Sequence, residues 1–137
     1  MLLSATDPLS ASDLEYPPER IKTYRSYEKC LVALKRKHVE AGATEQNSVA
    51  DTPSGRRTQS IHVTGIYYGG PKHASFSILH RTALEPKAGG PDGYSFGSGT
   101  TWSCEGRIMF KSGGHSAQVT IPAPPLPPPL SAKPEAQ

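Results

Sequence analysis

Tyr24, Tyr27, Leu31, Leu34 and His38 stand three, four, three and four residues apart, and this spacing constrains the chain more than any other feature. At 100° per residue the five side chains fall within a sector about 80° wide, so a helix over 19–41 carries one apolar stripe that must lie against another layer. Pro18 suits the approach to a first helical turn, Glu19 suits the positive end, and Gly42 is the natural stop. The later half switches to a period of two. Ser60–Tyr68 places Ile61, Val63 and Tyr67 on one face, Gly69-Gly-Pro-Lys72 supplies a turn, and the return strand His73–Thr82 places Ala74, Phe76, Ile78 and His80 together. Residues 101–111 read as a strand with a bulge at Glu105-Gly106, Ser112-Gly-Gly-His115 as a tight turn, and Ala117, Val119 and Ile121 as the closing strand. The expected class is α+β: one long N-terminal helix packed on a four- or five-stranded antiparallel sheet.

A chain of 137 residues fits one domain, expected over 19–122. Residues 1–18 form an acidic arm punctuated by Pro8, Pro17 and Pro18. Residues 42–59 have no hydrophobic period and read as a mobile loop. Residues 123–137 are too proline-rich to form a core, and are expected as a disordered tail favouring polyproline II. No run of 18 apolar residues occurs, which excludes a membrane-spanning helix. The start lacks a basic stretch followed by a long apolar run, so a cytoplasmic or other intracellular location is expected, with Cys30 and Cys104 as free thiols.

Residues 20–37 hold seven bases against Glu28. Lys22, Arg25, Lys29 and Arg36 form a stripe roughly opposite the apolar one, and Arg56 and Arg57 add a basic pair. With Tyr67, Tyr68, Tyr94, Phe96 and Trp102 as stacking platforms, these cations supply a nucleic-acid-binding reading. That reading carries a geometric conflict, because a helix covering the sheet turns its basic stripe away from the sheet's aromatics.

His62-Val-Thr64, His73-Ala-Ser75 and His80-Arg-Thr82 each place a hydroxyl two residues after a histidine, on the same face of a strand. This resembles the paired His-x-Thr/Ser motifs of the two-histidine phosphoesterases, and the resemblance implies phosphate binding and proton transfer at the sheet. No metal site and no cofactor are expected, since no Cys-x-x-Cys or His-Glu-x-x-His spacing occurs.

Ala123–Leu130 contains Pro124-Pro-Leu-Pro127 followed by Pro128, which resembles ligands of WW and SH3 domains. A glycine-rich edge strand near 93–101 offers a second docking surface, and a homodimer through it. The expected function is therefore a non-enzymatic binding or adaptor protein acting through protein contacts. Nucleic-acid binding is the first alternative, and a small phosphoesterase is the second.

Overall fold

The computed structural model describes residues 13–15 and 17–128. Its strands are β1 (Asp13–Glu15), β2 (Glu19–Thr23), β3 (Gln46–Thr52), β4 (Gly55–Val63), β5 (Tyr67–Gly70), β6 (His73–Pro86), β7 (Gly93–Glu105), β8 (Ile108–Ser116) and β9 (Val119–Ile121), with one helix, α1 (Tyr27–Gly42), between β2 and β3. All nine strands join one sheet, ordered β1-β8-β7-β6-β4-β3, with β2 also on β8, β5 on β6 and β9 on β7. Every pairing is antiparallel.

This corrects the expected architecture in three ways. The helix begins at Tyr27, not at residue 19. The Ser26 side chain accepts from the Lys29 N–H at 3.2 Å and caps it, while Glu19–Thr23 lies along β8 as an edge strand. Among the described residues the sheet has nine strands rather than four or five. The segment read as a mobile loop, 42–59, supplies β3 and the start of β4, closed by Thr52-Pro-Ser-Gly55, where the Thr52 hydroxyl accepts from the Gly55 N–H at 3.1 Å. Apolar alternation marks a strand only where one face is covered. Nearly all of β3 is exposed, so its sequence had no burial to record.

Two turn assignments change with the fold. Glu105-Gly-Arg-Ile108 is a hairpin turn with Gly106 at φ +58°, so 101–111 contributes to two strands, β7 and β8. Ser112–His115 continues β8 rather than turning. The segment 93–101 belongs to β7, which lies between β6 on one side and β8 and β9 on the other, so it is not an edge. Outside the described residues lie most of the N-terminal arm and the tail beyond residue 128.

The core forms where α1 crosses the sheet. Tyr27, Cys30, Leu34 and Ala41 are its buried side chains. They meet Val63, Ala74, Phe76, Cys104 and Met109 from the strands. His38 packs edge-on to Phe76 with ring centroids 5.0 Å apart, and its Nε2 donates to the Thr64 carbonyl at 2.8 Å. The expected stripe is thus seated on the sheet, rotated toward Cys30 and Ala41. Cys30 and Cys104, both fully buried, are joined as a disulfide across 74 residues, correcting the expectation of free thiols. No helix is long and apolar enough to cross a membrane among the described residues.

Closing a loop of this length lowers the conformational entropy of the unfolded chain by the equivalent of about 4 kcal/mol. Urea unfolding of the Cys30→Ser/Cys104→Ser double variant should show a loss of about that size. A loss below about 1 kcal/mol would mean the link adds little to the seating of the helix.

Candidate functional site

Register assigns every strand residue to a face. Phe76 pairs with Trp102, Ala74 with Cys104 and Cys104 with Met109, so even positions of β6 and β7 lie on the helix-bearing side. Along β7 that side presents Cys104, Trp102, Thr100, Ser98, Phe96 and Tyr94 in order. The helix packs at the Cys104 end, where the core sits. The other end of the same face continues beyond it.

Trp102 stands at the boundary. The Lys37 ammonium, from the flank of α1, lies 4.2 Å from its ring centroid, and Lys111, its partner on β8, lies 5.2 Å away. Lys37 projects about 50° from the centre of the buried helix stripe, by the 100° rotation per residue. Farther along β7, Tyr94 and Phe96 stack with centroids 5.9 Å apart and planes 18° off parallel. Between these aromatics, Ser98 pairs with His80 on one side and His115 on the other. A hollow of about 520 Å³ is lined there by His80, Thr82, Phe96, Ser98, His115 and Gln118. From Trp102 to Tyr94 the strip runs about 26 Å at the rise of an antiparallel strand.

The opposite face carries a shallow depression of about 670 Å³, with His62, Arg81, Thr101 and Ser112 among its lining over Gly97 and Gly99. A Cβ on Gly97 would stand 2.9 Å from the His80 carbonyl oxygen, so β6 and β7 approach more closely there than a side chain allows.

The three histidine–hydroxyl pairs do not gather. His62 lies on the face away from the helix and His80 on the helix-bearing face, since Ile61, not His62, pairs with His80. His62 Nδ1 is 3.2 Å from Glu45 Oε2, which also accepts from the Val63 N–H at 2.8 Å. Thr64 uses its hydroxyl on the backbone, accepting from the Ser77 N–H at 2.9 Å. His73 is held at the far end of the sheet, its Nδ1 3.0 Å from Glu105 Oε2, and Ser75 sits in the row between Tyr67 and Ser103. His80 and Thr82 alone share a hollow. Among the described residues, no three His, Cys, Asp or Glu side chains are grouped to hold a metal ion.

The basic stripe is also divided. Lys29 and Arg36 are exposed on α1, whereas Lys22 lies on β2 with its ammonium 5.2 Å from the Tyr24 ring, and Arg25 lies in the bend before the cap. Arg56 pairs with Asp51 at 3.4 Å, and Arg57 occupies the helix-bearing face opposite Leu84. The proline-rich segment begins docked: the Gly89 N–H donates to the Pro124 carbonyl at 2.8 Å, the Ala123 N–H donates to Asp92 Oδ1 at 2.9 Å, and Leu126 lies against Gly89. Pro125, Pro127 and Pro128 are exposed.

Sequence reasoning missed Lys37 and Lys111. The signal for Lys111 lay in Glu105-Gly106, expected as a bulge; as the hairpin turn it is, it sets Trp102 opposite Lys111. No protein-family model matches the chain, and comparison with curated proteins and with solved structures finds no match.

The close approach at Gly97 is testable by stability. Gly97→Ala should destabilise by about 1–3 kcal/mol in chemical denaturation, because the carbonyl it meets is backbone. Gly65→Ala, with nothing within 4 Å, should change stability by no more than about 0.5 kcal/mol. Equal effects would contradict the tight β6–β7 approach.

Proposed function

We propose that this protein binds single-stranded nucleic acid along the uncovered half of its helix-bearing sheet face. The observation that carries the reading is Trp102 bracketed by Lys37 and Lys111, in line with the stacked Tyr94 and Phe96 on the same strand face. Bases stack on aromatic faces whatever their sequence, and phosphates seek the flanking cations. The geometric conflict in the sequence reading is relieved because α1 spans only part of the sheet. The aromatics beyond it share a face with the helix and are not beneath it. Arg57 extends the cationic border on β4, while Lys29 and Arg36 point away from the strip and contribute long-range attraction only.

A protein-partner reading keeps one specific support, the exposed Pro125, Pro127 and Pro128, held out from the anchor at Gly89. A chain ending at Pro122 would remove that ligand and leave the sheet intact. The buried disulfide suits an oxidising compartment better than a reducing cytoplasm.

Fluorescence anisotropy with a labelled short single-stranded oligonucleotide tests the nucleic-acid reading. Affinity should fall as salt rises. Trp102→Ala should weaken binding by about 5- to 100-fold, the range of one lost stacking platform. Lys37→Glu/Lys111→Glu should cost more affinity than Lys29→Glu/Arg36→Glu. Binding that ignores salt, or a Trp102→Ala variant with unchanged affinity, would contradict the proposal.

A further inference from the structure

Sheet edges with long, regular, uncharged strands invite pairing, and natural proteins blunt them with lysine, proline or bulges. β3 has none of these. It pairs with β4 in unbroken register over all seven residues from Gln46 to Thr52, carries Asp51 as its only charge, and among the described residues has no strand on its other side. The opposite margin of the sheet is different, since β2 there is irregular and carries Glu19, Arg20 and Lys22. Alternate residues of an edge strand turn their N–H and C=O groups outward, so β3 presents an open ladder.

We infer that β3 is the contact of a symmetric homodimer, formed by antiparallel pairing of two β3 strands about Val49. The sequence of β3 selects this partner and this register. Centred on Val49, the pairing sets Val49 against Val49 of the partner subunit and Ser48 against Ala50 of the partner subunit. It also sets Asn47 against Asp51 of the partner subunit, so each carboxylate faces an amide. Centred on Asp51, the two carboxylates would oppose each other, which destabilises a strand pair. Val49 is 59% exposed in the single chain, and the pairing covers it with its own symmetry mate.

Antiparallel strands of one sheet are related by a two-fold axis normal to that sheet. The two helix-bearing faces therefore lie on the same side of the joined sheet. This assembly stands independently of what that face binds.

Sedimentation velocity over a concentration series reads the proposal directly. The wild-type chain should shift toward twice its 14.7 kDa mass as concentration rises. Val49→Lys sets like charges against each other at the axis and should weaken association about tenfold or more. Asn47→Lys sets a cation opposite Asp51 of the partner subunit and should preserve or strengthen it. Both positions are exposed, and circular dichroism checks that each variant is folded. A wild-type chain of monomer mass at every concentration, or a Val49→Lys variant that associates as tightly as wild type, would overturn the inference. So would an Asn47→Lys variant as weak as Val49→Lys.

Discussion

The structure depends on one helix being too short for the sheet that receives it. A helix of 16 residues is about 24 Å long, whereas the 14 residues of β6 extend about 46 Å. Where α1 lands, Leu34, Phe76, Met109 and the buried disulfide are almost wholly removed from water. Beyond it the described residues form a single layer, held by its backbone ladders and by close strand approach at glycines such as Gly97, with Leu84 buried between its register neighbours Arg57 and Tyr94. The core fixes where the helix sits, and the helix flank then fixes where Lys37 meets Trp102. The aromatic strip is a consequence of this partial coverage.

The helix and the strands beneath it were legible because burial writes a period into sequence. Tyr27 and Leu34 were expected on the inner side of α1, and Ala74 and Phe76 on the inner face of β6, and all four are buried. The errors fall where burial is absent or where a local cap competes. β3 and Arg56–Gln59 of β4 are mostly exposed, so neither needed alternating apolar residues. Glu19–Thr23 continued the helical pattern in charge and spacing, but Ser26 caps the helix by accepting from the Lys29 N–H and leaves the preceding residues to pair with β8. The disulfide required knowing that helix position 30 and strand position 104 meet, which is tertiary information.

The site was legible only in its parts. Tyr94, Phe96 and Trp102 were expected together as stacking surfaces and do share one face of β7, but the cations beside Trp102 were not foreseen, since that requires both the helix rotation and the β7–β8 register. The histidine–hydroxyl spacing correctly placed His80 and Thr82 on one face. It could not say which face His62 would share, because a shift of one residue in strand pairing exchanges the two sides. Proline content marked the tail, while its anchor depends on Gly89 and Asp92 in a distant loop.

Amide hydrogen exchange of the free protein tests partial coverage most directly. Ala74–Ile78 and Trp102–Cys104, beneath or beside the helix, should exchange only through global unfolding, while His80–Ala83 and Phe96–Ser98 should exchange faster through local opening of the single layer. Equal protection along the full length of β6 and β7 would contradict the account, because it would mean the outer half is as firmly held as the half that carries the helix.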